Sequence, residues 1–340
     1  MPLNPAISFH FLNDFIPLTS LRIQKSKAMI AKETTIEHVL GRSTERYFGQ
    51  AFRSFYVRFL TMEQSESELT GQFYVDYVGP QRPREEAPHL GSIEYTAVAL
   101  RLATYGLNRL GRIAVSDTDR AFMHSYQILN KESLYTGQHQ FHCRLVQSVI
   151  DANSMQGSIS HFEINIGAVA IHIAIDHRGG MRYGTLPAKE TLAIHIEQLH
   201  SIGYKCTDLD ITALKTNLRQ QCITADISYA YLFEENSLHG IGSARDALLT
   251  TDAIRVFGQL MQVLLYELEN SCRHSCPNIW LRKMYLQSDR PLFTGTASAE
   301  VHFDHIREIQ KGEVHWKLVK LSGTIGNFKG RFEVAFEVKK

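Results

Sequence analysis

The sequence lacks a strong charge of either sign. Its 36 Lys and Arg residues against 35 Asp and Glu give a formal net charge of +1, so neither nucleic acid nor a membrane surface is indicated as a partner. It also has no run of about 18 apolar residues, which argues against a transmembrane helix. The first 20 residues carry neither a basic segment nor a continuous apolar core, so we expect no signal peptide.

Cysteine is scarce as well. The five cysteines, at 143, 206, 222, 272 and 276, form no disulfide framework, and their odd number suits a reducing cytoplasm. Cys272 and Cys276 flank His274, but a zinc site usually needs a second ligand pair and none is obvious. The GIGS stretch at 240–243 lacks the context of a phosphate-binding loop. We therefore expect a cytoplasmic protein with no metal and no cofactor.

Two long helices are predicted. Of 340 residues 44% are hydrophobic, enough for one large or two smaller cores. Residues 240–270 open with glycines and then place apolar side chains at helical spacing: Ile254, Phe257, Met261, Leu264, Leu265 and Leu268. A narrow polar row faces them, formed by Asp252, Arg255, Gln259 and Gln262. Residues 88–108 repeat this pattern of a glycine-containing approach and an apolar helix, with Glu94 in the position of Asp252.

The rest of the chain is mostly β-patterned. Strands are predicted at 54–62, 71–78, 122–129, 135–149, 157–176, 222–233, 278–287, 294–309, 313–321 and 331–338. A surface helix is expected at 190–202, and a second is considered at 215–221. The HRGG stretch at 177–180 breaks the pattern and is interpreted as a domain boundary.

Each half is therefore predicted to contain strands, a loop, one long apolar helix and then further long strands. That order is typical of a hotdog fold, in which an antiparallel sheet wraps a central helix. We predict an α+β double hotdog with two antiparallel sheets, each wrapped around one long helix. The predicted parts are an N-terminal extension at 1–33, a first domain at 34–178 and a second at 179–340. Two α+β domains of another topology are the alternative.

Four residues are candidate catalysts. Hotdog dehydratases place a His in the loop before the helix and an acid in its first turns, and His239 precedes Asp252 in this way. His89 precedes Glu94 more closely. Crosswise pairing would join His239 to Glu94 and His89 to Asp252, and an imidazole beside a carboxylate can transfer protons near neutral pH.

The neighbouring polar residues are candidates for substrate binding. They are Arg255, Gln259, Ser92 and Thr251. Structural alternatives stay open, because a carboxylate in the first turn also stabilises the helix dipole, and Asp252 with Arg255 fits an i,i+3 ion pair. Tyr47 and Phe48 are interpreted as part of a packed turn rather than a substrate platform.

Three stretches together resemble one family. Residues 37–49, EHVLGRSTERYFG, are similar to the opening of the avirulence protein D (AvrD) family. Residues 88–94, PHLGSIE, resemble that family's entry to its first helix. Residues 259–266, QLMQVLLY, with NIWLR at 278–282, are similar to its C-terminal helix and the strand that follows. The resemblance covers about 37–285 and leaves the first 33 residues out.

The resemblance implies a biosynthetic enzyme of secondary metabolism. Such an enzyme would be an acyltransferase or condensing enzyme that joins a β-ketoacyl thioester, carried by an acyl-carrier protein or CoA, to a xylulose-like ketopentose. The product would be an acyl glycoside elicitor of the syringolide type; the γ-butyrolactone synthases offer a more distant likeness. N–H groups at the helix starts, near 90–93 and 249–251, would polarise the thioester carbonyl.

Other functions stay open at this point. A hotdog acyl-thioester dehydratase or thioesterase needs only one His–acid pair, and a non-catalytic module for binding acyl chains needs none. Both a monomer with pseudo-dimeric halves and a homodimer fit the pattern.

Overall fold

A computed structural model describes residues 35–79, 87–152, 154–179, 190–191, 198–233, 238–244, 246–272, 279–311 and 314–338. The expected extension at 1–33 lies outside these residues. The helices are α1 Ile36–Leu40, α2 Ser92–Tyr105, α3 Val115–Arg120 and α4 Thr250–Leu268, and α2 continues into one wider turn at Gly106–Leu110.

Thirteen strands form the rest of the described framework. They are β1 Phe55–Ser65, β2 Glu68–Tyr77, β3 Phe122–Asn130, β4 Gly137–Ile150, β5 Ser158–Ile166, β6 Val169–His177, β7 Glu190–Thr191, β8 Thr207–Asn217, β9 Cys222–Tyr231, β10 Ile279–Ser288, β11 Thr296–Lys311, β12 Val314–Ile325 and β13 Phe328–Val338.

All these strands join one antiparallel sheet. Its order is β7-β1-β2-β4-β5-β6-β3-β10-β13-β12-β11-β9-β8. Read outward from the central β3–β10 pair, the two sides are equivalent: β6, β5, β4, β2 and β1 correspond to β13, β12, β11, β9 and β8. Each half has six long strands. In order along the chain, its long helix follows the second strand and precedes the third. The double hotdog is therefore confirmed in outline.

The prediction of two separate sheets was wrong. Strand β3 pairs with β10 from Ser125↔Gln287 to Leu129↔Lys283, so the halves share one continuous sheet. Pairing the two strands removes an exposed edge from each half, which an isolated sheet would have to protect. The boundary predicted at 178/179 follows the end of β6 and stays a prediction.

The two long helices lie in the core. Every residue of α2 is buried, and so are all but three residues of α4. The predicted polar row is buried too at Asp252, Arg255 and Gln259. The two helices pack against each other and against strands of the sheet. Because both faces are covered, each polar side chain on them needs a partner inside the protein.

Two local predictions were wrong. The single strand expected at 157–176 is two strands, β5 and β6, because the chain reverses at Gly167 with φ +55°. The stretch 215–221 is not helical, because β8 extends to Asn217. This strand lies at the edge of the sheet and is rich in polar residues, so it lacks the clear alternation of apolar and polar side chains that predicts a strand. The surface helix expected at 190–202 falls partly outside the described residues, at 192–197; of the rest, Glu190–Thr191 form β7, and 198–202 form a turn of which 198–200 are buried.

Phe257 tests the packing of α4 on the sheet. Its ring lies 4.9 Å from that of Phe332, and a side chain at Gly323 or Gly330 would meet it at 3.0 Å. We expect Phe257→Ala to lower the free energy of unfolding by about 3–5 kcal/mol, because the ring leaves a cavity that the strands cannot close. Urea denaturation measures this, with Phe293→Ala, where the side chain is 54% exposed, as the control. An equal loss in both variants would contradict the packing described.

Candidate active site

Segment 46–49, with the sequence RYFG, contacts both long helices. At α2, the Tyr47 hydroxyl donates to Oε2 of Glu94 and accepts from the backbone N–H of Ile93 at 3.1 Å. The same Glu94 oxygen accepts from the N–H of Gly91 at 2.9 Å. Glu94 is therefore held at the helix start and is fully buried. The interpretation of Tyr47 as part of a packed turn agrees with these contacts.

At α4 the same segment binds the polar row. Arg255 donates to Oδ1 of Asp252 at 2.8 Å and to the carbonyl oxygen of Gly49 at 3.0 Å. Arg46 donates to Oε1 of Gln259 at 2.5 Å. Arg255 and Gln259, predicted to bind substrate, are thus engaged in holding segment 46–49 against the helix.

Asp252 lies in an environment that opposes its charge. The carboxyl group is fully buried, and burial raises its pKa although Arg255, the hydroxyl of Thr207 and Arg53 act to lower it. The predicted i,i+3 ion pair with Arg255 is formed at 2.8 Å. Its geometry anchors the first turn of α4.

The starts of α2 and α4 differ in which backbone N–H groups lack a hydrogen-bond acceptor. At the second position of α2, the N–H of Ile93 is bonded to Tyr47. At the equivalent position of α4 stands Thr251, and within the described part of the chain no acceptor reaches the N–H groups of Thr250 or Thr251. The N–H of Leu249 bonds to the Tyr231 hydroxyl at 3.1 Å. At the positive end of the 19-residue helix α4, both N–H groups therefore lack an acceptor among the described residues. At α2 the second of the two is bonded to Tyr47.

A cavity of about 40 Å³ lies at this open helix start. Residues from both halves form its walls: Leu100, Phe122, Met123, His200, Ile241, Gly242, Ala247, Leu248, Leu249, Thr250, Ser288, Pro291 and Phe328. Most of the walls are apolar, and this volume accepts a small polar group. The cavity is therefore suited to hold the carbonyl end of an otherwise apolar molecule against the helix.

His200 supplies a second polar group in the cavity wall. Its side chain is buried, and its Nε2 lies 2.9 Å from the carbonyl oxygen of Ile241, so Nε2 carries the proton. Nδ1 is then an acceptor, and it is buried without a hydrogen-bond partner among the described residues. Burial, opposed by that hydrogen bond and aided by Arg101, lowers the pKa of His200 to about 4. The imidazole is neutral at physiological pH.

His239 lies two residues before Ile241, which lines the cavity, and is paired with Asp119. Its Nδ1 is 3.0 Å from Oδ2 of Asp119, while Oδ1 of that carboxylate accepts from the N–H of Gly240 at 2.8 Å. The side chain of His239 is 62% exposed, and Ile241, two residues on, lines the cavity. Asp119 thus fixes the proton on Nδ1 and leaves Nε2 as the basic nitrogen.

The crosswise His–acid pairs are not formed. The N–H of Ile241 bonds to Thr104 at the far end of α2, so His239 lies about 15 Å along the helix from Glu94 at a rise of 1.5 Å per residue. His89 stacks on the ring of Trp280 at 5.3 Å instead of reaching Asp252. The catalytic roles of His239, Asp252, Glu94 and His89 stay predictions, without these pairings.

The remaining predicted residues lie at the helix starts. Ser92 is buried at the first position of α2, and its carbonyl oxygen accepts from the Thr96 hydroxyl at 2.7 Å. Thr251 is fully buried beside the open donors of α4. The sequence analysis missed His200, because it was placed on a surface helix, and Asp119, which is 120 residues from its partner.

Two other features lie outside the cavity. A groove of about 190 Å³ on the sheet is lined by His161, Glu163, His172 and Tyr285 among others, but no helix start faces it. Among the described residues, Cys222, Glu300 and His302 bring three potential metal ligands together. Of the cluster at 272–276, His274 and Cys276 lie outside those residues.

The family model described as Pseudomonas avirulence D protein (AvrD) matches residues 32–338. The chain belongs to the AvrD family. The match spans nearly the whole chain and confirms the resemblance noted in residues 37–49, 88–94, 259–266 and 278–282. Comparison with the curated proteins found no significant match.

Solved structures similar to this AvrD-family chain include proteins described as a putative oleoyl thioesterase, a tesB protein and a dehydratase domain. The tesB protein of Mycobacterium avium subsp. paratuberculosis is 11% identical, with 81% of this chain and 95% of that chain covered and a TM-score of 0.42. A trans-AT PKS dehydratase domain of Brevibacillus brevis is 13% identical, with 82% and 94% covered and a TM-score of 0.39.

A third similar structure is described as a double hotdog fold. It is a conserved protein of Mycobacterium tuberculosis, 9% identical, with 74% of this chain and 83% of that chain covered and a TM-score of 0.41. With TM-scores below 0.5, none of these likenesses carries weight for function, and the fold rests on the strand order.

Among the described residues, no helix has both the length and the apolarity needed to span a membrane.

The lowered pKa of His200 predicts a specific acid sensitivity. The unfolded chain binds a proton at His200 below pH about 6.5, whereas the folded chain resists it until about pH 4. Stability is therefore lost as pH falls through this window, by up to about 3 kcal/mol from this group. Denaturation at pH 7 and pH 4.5 should show a smaller acid loss in His200→Gln than in the wild type. The exposed His305→Gln should match the wild type, and an unchanged slope in His200→Gln would contradict the buried neutral imidazole.

Proposed function

We propose that this AvrD-family protein joins a β-ketoacyl thioester to a ketopentose such as xylulose. The product would be an acyl glycoside of the syringolide type. One observation carries the proposal: Thr250, whose N–H has no acceptor among the described residues, and His200, whose Nδ1 is buried without a partner, both line one small cavity with apolar walls. Such a cavity suits a thioester carbonyl that must be polarised and a hydroxyl that must be positioned.

The donors of Thr250 and Thr251 would bind the thioester oxygen. Backbone N–H groups at a helix start stabilise the negative charge that develops on that oxygen during attack. The Asp252–Arg255 pair would have a positioning role, because it fixes the turn that presents both donors. The acyl chain would extend along the apolar wall, where the flexible Met123 side chain can adjust.

His239 would act as the base. Its pairing with Asp119 leaves Nε2 to take the proton from the sugar hydroxyl as the oxygen attacks the thioester carbon. A carbon–oxygen bond forms, the carbon–sulfur bond breaks, and the thiolate of the acyl-carrier protein or CoA leaves and is protonated. His200 would hold the acceptor hydroxyl through Nδ1, since its low pKa makes it a poor base near neutral pH.

A second bond can form without a further reagent. The methylene between the two carbonyl groups of the β-ketoester is acidic, and its carbanion can attack the ketone of the sugar. The proton lost from carbon ends on the new alkoxide, so atoms balance and no cofactor is consumed. The proposal assigns one active cavity, at α4, because Tyr47 occupies the equivalent place at α2.

Thr250→Pro tests the oxyanion donors. Proline at the first helical position removes the N–H but keeps the helix, because that N–H has no partner within the helix. We expect kcat/KM for adduct formation to fall by about 10²–10³. Mass spectrometry of reactions with a β-ketoacyl thioester and xylulose measures the adduct.

Two controls make this experiment specific. Thr250→Ala removes only the hydroxyl, and Ser92→Pro makes the equivalent change at α2; both should keep most of the activity. A loss confined to Ser92→Pro would place the reaction at α2 and contradict the assignment. Free β-keto acid without a sugar adduct in the wild type would indicate a thioesterase, and an unchanged thioester would indicate an acyl-binding module.

A further inference from the structure

Cys222, Glu300 and His302 form a cluster on the face of the sheet opposite α4. Strand β9 buries Ile223, Ala225 and Ile227 toward the core, so Cys222 faces the other way. On β11, Val301 is fully buried and its neighbours at 300 and 302 face outward. One ligand atom from each of the three residues lies within 4.8 Å of the others.

The strand register produces this cluster. His302 pairs directly with Cys222 across the β9–β11 ladder, and Glu300 stands two residues earlier on the same face of β11. Directly opposed side chains in an antiparallel pair are close neighbours. Nε2 of His302 is already 3.1 Å from Oε1 of Glu300. Paired strands hold the three side chains in place before any ligand arrives.

The three groups match the ligands of one metal. Zinc binds thiolate, imidazole and carboxylate at about 2.0–2.3 Å in tetrahedral geometry, which separates its ligand atoms by about 3.4–3.8 Å. Small side-chain rotations bring the cluster to this spacing. The thiolate favours zinc over magnesium or calcium, which prefer oxygen ligands.

We propose that Cys222, Glu300 and His302 bind one Zn²⁺ ion on the outer face of the β9–β11 pair. The ion would tie the two strands together and keep a fourth position for water, because the Glu300 and His302 side chains are 46% and 42% exposed. The site is independent of the cavity at α4.

Zinc titration of the full chain tests this site. A Cys272→Ser/Cys276→Ser parent removes the two thiols that flank His274. Equilibrium dialysis should show about one Zn²⁺ per chain, and Co²⁺ in its place should give a thiolate-to-cobalt charge-transfer band. We expect Cys222→Ser to abolish that band, and His302→Gln to weaken zinc binding at least tenfold, the scale of losses seen even for groups that only support ligands.

Matched variants separate the site from general damage. His305→Gln on the same strand and Cys206→Ser should bind zinc as the parent does. Circular dichroism should show native folding, and if Cys222→Ser fails to fold, His302→Gln and Glu300→Gln decide, since both side chains are half-exposed. Equal zinc affinity in the parent and in His302→Gln, or no zinc bound by the parent, would overturn the proposal.

Discussion

The ion pair between Asp252 and Arg255 is the interaction on which the rest of the site depends. Both side chains are buried, and loss of one partner from such a pair costs about 3–5 kcal/mol. Arg255 also binds the carbonyl of Gly49, so the pair fixes segment 46–49 as well as the first turn of α4. Through Tyr47 that segment reaches the start of α2. The two halves of the sheet, already joined by the β3–β10 pairing, are thus also linked through these four residues between the helices.

The same contacts make two equivalent helix starts unequal. Tyr47 fills the space over Gly91: a Cβ added at Gly91 would lie 2.1 Å from the Tyr47 hydroxyl oxygen. The same hydroxyl accepts a hydrogen bond from the N–H of Ile93. At α4, the Tyr231 hydroxyl accepts from the N–H of Leu249, two residues before the equivalent position, and leaves the N–H groups of Thr250 and Thr251 without an acceptor among the described residues. The proposal therefore assigns one oxyanion site, at α4, in a fold with two equivalent helices. Thr250 and His200 come from the second half, and Leu100, Phe122 and Met123 of the first half complete the apolar wall, so neither half would form the cavity alone.

Regular patterns in the sequence predicted most of the fold. The apolar spacing of Ile254, Phe257 and Leu264 predicted α4, and alternation predicted ten strand regions, one of which proved to be two strands. Edge strand β8 was missed because its outward residues are polar on both sides of a bulge. Local patterns could not predict contacts between residues far apart in the sequence. Tyr47 bonds to Glu94, and Asp119 bonds to His239, which is 120 residues away. His200 was missed because a buried turn carries no periodicity.

The most direct test of the account is a crystal structure with a non-hydrolysable β-ketoacyl thioester analogue, in which a methylene replaces the sulfur. The account predicts its acyl oxygen within about 2.7–3.1 Å of the N–H groups of Thr250 and Thr251, with the chain against Leu100 and Phe328. Binding of the analogue at the start of α2, or in the groove beside His161 and His172, would contradict it.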